Sequence, residues 1–269
     1  MKLWAISDLH IGVMQNRDAL RDLSSFPEDW LILAGDVCES IDDLAQAFAW
    51  CVKKFARVIW VPGNHELWLV DAGDKSRTSQ SKYIDLINLA RSFGVLTPED
   101  PWEFFPKTGH LIVPLTTMYD YSFRPDHISR EEVISWAAEQ DCVCSDEILI
   151  KTQTPAGVDR WSAQLCDQAE QRFQKELPEG VQTILINHFP LREDLVHIPR
   201  VPRFSPWCGT KRTNDWHIRY RASVVISGHL HVRRTDWRDG TRFEEVSLGY
   251  PRQWDPAKGL QYYLRDVSP

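Results

Sequence analysis

Arg57-Val58-Ile59-Trp60-Val61-Pro62-Gly63-Asn64-His65-Glu66 is a short apolar run that breaks abruptly into a polar turn. A run of this length, stopped by Pro-Gly, predicts a buried strand. Two runs upstream share the design. Residues 2–7 (KLWAIS) lead into Asp8-Leu9-His10, and residues 30–34 (WLILA) lead into Gly35-Asp36. Between the second and third runs, Ser40 followed by Asp43 predicts a capped helix start. Leu44, Phe48, Cys51, Val52 and Phe55 supply its apolar stripe. Alternating strand and helix predicts an α/β fold with parallel strands and crossover helices. In such sheets ligands sit at the carboxyl ends of the strands, where each polar motif falls.

The rest of the chain extends this pattern. Helices are predicted over residues 82–93, closed by Gly94, and from Ser129 to about Gln140. Another is predicted over 158–177, where Trp161, Leu165, Ala169, Phe173 and Leu177 recur every four residues. Strands are predicted over 110–115, over 183–186 ending in Asn187-His188, and over 223–227 ending in Gly228-His229-Leu230-His231. Two final strands are expected over 243–248 and 261–264. The expected organisation is one domain over residues 1–269, with a lid-like insertion within about 70–180.

With 43% hydrophobic and 11% aromatic residues, the chain can bury a large core and is not disordered by composition. Its net charge of −7, from 31 basic and 38 acidic residues, argues against nucleic acid as a partner. Residues 192–252 nevertheless hold 12 Lys or Arg against 7 Asp or Glu, which suits an anionic ligand or simply a solvated surface. The six cysteines form no C-x-x-C pair and read as thiols of a reducing compartment. No apolar run reaches the roughly 18 residues of a membrane span. No signal peptide is expected ahead of the first strand, so a cytoplasmic protein is expected.

Each strand-end motif has a bland reading alone. Asp8 and His10 at i and i+2 point the same way on an extended strand end and can share a cation, yet such a triplet is also an ordinary loop. Asp36 can bridge two cations or close an Asx turn. Asn64 offers an amide oxygen, and His65 beside it can donate a proton without being a ligand. His188 alone is more often structural. Gly228-His229-Leu230-His231 brings two imidazoles to one place. Together the motifs supply two carboxylates, one amide and four imidazoles, apart from His65. That set suits two divalent or trivalent ions (Mn, Fe or Zn) better than calcium, which prefers oxygen. Two metals clamp the attacking and leaving oxygens of an in-line displacement, so the substrate class is a phosphate ester.

The order D-x-H, G-D, G-N-H-E, H, G-H-x-H, spanning Asp8 to His231, resembles the calcineurin-like metallophosphoesterase superfamily. The resemblance implies a two-sheet β-sandwich flanked by helices, in four αββα layers. It implies Asp8, His10 and His231 on one metal, Asn64, His188 and His229 on the other, and Asp36 bridging. His65 would be the catalytic acid, with Asp8 also counted in the catalytic set. Two subgroups fit poorly. Phosphoprotein phosphatases carry Asp-Arg-Gly soon after the bridging Asp, where this chain has Val37-Cys38-Glu39-Ser40. Purple acid phosphatases carry a Tyr ligand at the position of Glu39.

Residues 60–68 (WVPGNHELW), 119–123 (YDYSF), 187–191 (NHFPL), 207–210 (WCGT) and 242–246 (RFEEV) are similar to a bacterial subgroup. That subgroup includes a phosphopantetheinyl hydrolase, which removes the phosphopantetheine arm from acyl carrier protein. The resemblance implies a phosphodiester substrate and holo acyl carrier protein as partner. The alternatives are a small-molecule phosphodiesterase, for example on a cyclic nucleotide, and a non-catalytic scaffold, which a complete ligand set argues against. Specificity should come from the loops between strand ends. The segments 119–123 and 203–217, carrying Tyr119, Tyr121, Phe123, Trp207, Lys211 and Arg212, are expected to line the substrate entrance, with lid packing as the competing use of the aromatics.

Overall fold

The computed structural model describes residues 1–70, 76–153 and 157–269. In chain order, β1 (Leu3–Ile6), α1 (Met14–Arg21), β2 (Phe26–Leu33), α2 (Ile41–Cys51) and β3 (Phe55–Trp60) build the first half. Then come α3 (Asn64–Leu67), α4 (Ser79–Ser92), β4 (Glu103–Phe104), β5 (Leu111–Pro114), α5 (Val133–Ala138), α6 (Asp146–Leu149) and α7 (Gly157–Glu176). The last part holds β6 (Thr183–Ile186), α8 (Trp216–Arg219), β7 (Ala222–Ser227), β8 (Thr235–Arg238), β9 (Thr241–Glu245) and β10 (Arg265–Asp266).

One sheet has the order β10-β1-β2-β3 and is parallel except for its β10 edge; the other has the order β4-β5-β6-β7-β9-β8, with a parallel centre and two antiparallel edges. The central strands are apolar on both faces, because both are covered. Alternation along them splits the side chains between two cores. Ile6, Leu31, Leu33, Val58 and Trp60 pack on Leu44 and Phe48 of α2 and Leu86 and Ala90 of α4. Leu3, Ala5, Ile32 and Ile59 meet Ile112, Ile184, Ile186, Val224 and Ile226 between the sheets. Beyond the second sheet, Val113, Leu185 and Val225 pack on Cys166 and Phe173 of α7 and on Trp216 of α8. The result is the four-layer αββα sandwich, each fully buried aliphatic side chain contributing about 1.5–3 kcal/mol.

Three expectations need correction. Residues 260–263 are a 3-10 turn, and the final strand is Arg265–Asp266. Leu260 and Tyr263 are its buried residues, a spacing of three that fits a 3-10 turn and not a strand. Phe55 belongs to β3, opposite Phe26, and not to the stripe of α2. The helix expected from Ser129 becomes regular only at Val133, although Ser129 N does donate to Glu132 Oε2 at 3.0 Å. Among the described residues, no helix is long and apolar enough to cross a membrane.

Candidate metal centre and its cleft

Five strand ends converge on one cleft of about 250 Å3. The loop after β1 delivers Asp8 and His10, and the loop after β2 delivers Asp36. β3 leads to Asn64 and His65, β6 to His188, and β7 to His229 and His231. Turning five side chains inward from parallel strands needs unusual backbone. Asp8, His10, Asp36, His229 and His231 all have positive φ, between 42° and 71°. Such conformations cost about 1–3 kcal/mol each in a non-glycine residue and persist only where surrounding structure enforces them. The glycines of two motifs have a matching reason. A Cβ on Gly63 would fall on the Asp36 carboxylate, and one on Gly228 would fall on Ser7 and Asp8.

The candidate ligands come together in overlapping groups. Ligand atoms of Asp8, His10 and His231 lie within 4.8 Å of one another, as do those of Asp36, His188 and His229 and those of His10, Asp36 and His65. Asn64 Oδ1 joins the second group, 3.2 Å from His188 Nε2. Asp8 Oδ2 accepts from Ser7 Oγ at 2.5 Å, Ser247 Oγ at 2.8 Å and His229 N at 3.0 Å. Its Oδ1 lies 2.9 Å from His231 Nε2. Asp36 Oδ1 accepts from His65 N at 2.9 Å, and its Oδ2 lies 3.4 Å from His188 Nε2.

The residues present fit cations. His188 Nδ1 lies 2.9 Å from the Ala34 carbonyl, and His231 Nδ1 lies 2.9 Å from Gln253 Oε1. Both oxygens only accept, so each Nδ1 carries a proton and each Nε2 is left to face the cluster. His10 Nε2 and His231 Nε2 point at each other at 3.3 Å. His10 Nδ1 and His229 Nε2 are buried without a hydrogen-bond partner. Leaving a buried polar atom unpaired costs about 1–3 kcal/mol, so the cluster asks for positive charge to coordinate.

The ionisation pattern says the same. Burial pushes Asp8 up, but His231 beside it outweighs burial and holds the carboxyl well below its ordinary range. Burial likewise opposes, and His188 and His65 override, at Asp36. Burial lowers His188 and His231, yet Asp36 lifts the first to about 10 and Asp8 lifts the second to about 9. Burial drives His10 down to about 4 and His229 to about 3. Cations bound at these nitrogens would take over the role of the imidazolium charge, and their binding would displace such protons.

His65 stands beside the cluster. Its Nδ1 lies 2.7 Å from Glu39 Oε1, and its ring centroid lies 3.6 Å from that of Trp68. Burial lowers its pKa, but Asp36 and Glu39 more than compensate and raise it. Sequence reasoning noted Glu39 only as the absence of a Tyr ligand and missed this pairing. The signal was its place three residues after Asp36. It also left Glu66 without a role. The buried Glu66 carboxylate accepts from the backbone of Asp36 at 2.9 Å, Val37 at 2.6 Å and Gly63 at 2.8 Å, and so ties the β2 loop to the β3 loop.

The residues expected at the substrate entrance sit elsewhere. Tyr119, Tyr121 and Trp207 are at most 2% exposed, and Phe123 is buried too. Tyr121 OH and Trp207 Nε1 both donate to Glu147 Oε1, at 2.8 and 2.7 Å. Lys211 pairs with Asp126 and Glu193, and Arg212 with Asp167 and Glu170. None of these residues lines the cleft. Its wall beyond the candidate ligands is His65, Trp68, Val143, Cys144, Ser145, Asp146, Phe204 and Tyr250. Tyr250 stacks on His10 with ring centroids 4.5 Å apart, and Phe204 stacks on His229 at 5.7 Å. Trp68 lay inside a quoted motif and Phe204 inside a loop sequence reasoning favoured. Apart from His65, expected from its own motif, the other wall residues carried no sequence signal.

The family model for calcineurin-like phosphoesterases matches residues 1–233, and the chain belongs to that family of metal-dependent phosphoric ester hydrolases. Within it, the chain is 42% identical over 271 residues to the acyl-carrier-protein phosphodiesterase PptH of Mycobacterium tuberculosis, covering 99% of this chain and 83% of that protein. The crystal structure of Phosphopantetheinyl Hydrolase (PptH) from Mycobacterium tuberculosis overlays with a TM-score of 0.92 at 41% identity, covering 100% of this chain and 96% of that one. A further solved structure, 11% identical with a TM-score of 0.50 and covering 91% of this chain and 90% of that one, shares the fold alone.

Proposed function

We propose that this enzyme hydrolyses the phosphodiester joining a phosphopantetheine arm to a serine of acyl carrier protein, with two metal ions of the Mn, Fe or Zn group. The observation that carries the reading is the likeness to PptH along the whole chain. The donor set supports two ions: Asp8, His10 and His231 would hold one, Asn64, His188 and His229 the other, and Asp36 would bridge. When bound, such ions neutralise phosphoryl charge and lower the pKa of water.

The chain's own residues do the rest. Asp8 and Asp36 hold fixed negative charge, and the backbone clamp at Glu66 keeps the two loops in register. His65 donates a proton to the departing serine oxygen as its bond to phosphorus breaks, and recovers one from the incoming water. Glu39 keeps His65 protonated and turned the right way. Products are a free serine hydroxyl and phosphopantetheine.

Trp68, Phe204 and Tyr250 would hold the organic arm at the mouth. Tyr121 and Trp207 would support that wall from behind, since the Trp207 and Phe204 rings lie 5.7 Å apart. Tyr119 lies within the same aromatic group, 5.2 Å from Tyr121. Lys211 and Arg212 would meet the carrier protein outside the cleft. One domain with a lid-like insertion within about 70–180 belongs to this proposal. Residues 71–75 and 154–156 of that insertion lie outside the described residues.

The test is intact-mass measurement of holo acyl carrier protein incubated with Mn-loaded enzyme. Loss of the arm is expected, at a higher kcat/KM than for a cyclic nucleotide. Turnover of the cyclic nucleotide with the carrier protein left whole would contradict the reading.

A further inference from the structure

Asp146 opens α6, 82 residues along the chain from Asn64, and its side chain is buried at the edge of the cleft. Its Oδ1 accepts from Asn64 Nδ2 at 3.0 Å and from Trp68 Nε1 at 2.6 Å. An indole N–H only donates, so Asp146 Oδ1 acts as an acceptor and the Asn64 amide turns its NH2 towards it. That leaves the amide oxygen facing His188 Nε2, 3.2 Å away, on the side of Asp36 and His229. The opposite rotamer would aim an NH2 group at the place a cation needs an oxygen. The same carboxylate oxygen anchors the indole that lies against His65. One acidic side chain from the middle of the chain therefore sets two groups that sequence places in the β3 loop.

We propose that Asp146 is a positioning residue: it orients the Asn64 amide and thereby sets the cation affinity of the Asn64, His188 and His229 half of the centre. The proposal rests on the two-ion reading above. Outer partners of this kind are worth about 10–100-fold in metal affinity.

The experiment is calorimetric titration of chelator-stripped, full-length protein with Mn2+. Wild type should show two sites. Asp146→Ala should keep one at wild-type affinity and weaken the other about 10–100-fold. Asp146→Leu, nearer in size, serves the same purpose where the alanine variant does not fold. Asp146→Asn keeps an acceptor oxygen for both donors and should recover most of the lost affinity. A residue that only packs would lower the melting temperature of the stripped protein and leave both Mn2+ affinities unchanged. Unchanged affinities in the alanine and leucine variants overturn the proposal and spare the two-ion reading. An asparagine variant as weak as those two overturns the orientation argument. Wild type lacking two Mn2+ sites overturns the proposal and the reading together.

Discussion

Glu39 Oε1 and His65 Nδ1 face each other at 2.7 Å, which leaves His65 Nε2 as the nitrogen turned towards Asp36, 3.8 Å away. The pairing fixes the ring and raises its pKa, both of which a general acid needs. His65→Ala should lower kcat about 10²–10⁴-fold on an alkyl phosphodiester and much less on a nitrophenyl ester, whose leaving group needs little protonation. Glu39→Gln should shift the alkaline limb of the kcat/KM profile to lower pH, because the acid loses the charge that keeps it protonated. A Glu39→Gln profile that overlays wild type would remove Glu39 from the account.

Charge within the cluster makes a stability prediction for chelator-stripped protein. His188 and His231 are raised to about 10 and about 9, above an unfolded value of about 6.5. Their contribution is complete below the unfolded value and is lost as pH rises through the folded ones. Asp8 and Asp36 are lowered, so their contribution is lost as pH falls below the ordinary carboxylate range. Chelator-stripped protein should therefore lose melting temperature steadily from pH 7 to pH 10, and Mn2+-loaded protein should lose less. Scanning calorimetry in both forms decides it, and parallel curves would contradict the assigned protonation.

Gly63→Ala should be far more damaging than a surface substitution. Its Cβ would land on the Asp36 carboxylate. Overpacking typically costs about 1–3 kcal/mol, and here relief would have to come from moving a proposed ligand. The expected result is a lower melting temperature together with reduced metal content by elemental analysis. Full metal content would show that Asp36 has room to give.

Much of this was legible in the sequence, and the residues missed at the site share a cause. Residues 183–186 were predicted as a strand and are one to the residue, because an apolar run buried on both faces leaves no ambiguity of period. The Ser40 cap was visible because it needs only Asp43 N, three residues on. The candidate ligands were visible because each member ends a strand. What could not be read was anything made by distant residues. Asp146 meets Asn64 across 82 positions, and Tyr250 reaches His10 across 240, with no local pattern to announce either. Aromatic loops were read as a substrate entrance because composition cannot tell a wall from the packing behind it. The hairpin turn at Asp239-Gly240 was legible and was passed over.

The wall and the packing behind it can be separated by kinetics. Phe204→Ala should raise KM for a substrate bearing the pantetheine arm and leave a small nitrophenyl diester nearly unchanged. Lys211→Ala with Arg212→Ala should raise KM only for carrier protein, and added salt should mimic the double variant, since exposed charges are screened over about 8–10 Å. Equal effects of the double variant on both substrates would move these cations away from a role in binding protein.

The central claim is that Asp36 is shared by two metal ions in a single catalytic centre. It is tested most directly by elemental analysis of active, full-length protein beside Asp36→Asn. The account predicts two transition-metal ions per chain in wild type, and loss of both metal and turnover in the variant. One ion or none in wild type at full turnover, or a variant that keeps both ions, would contradict it.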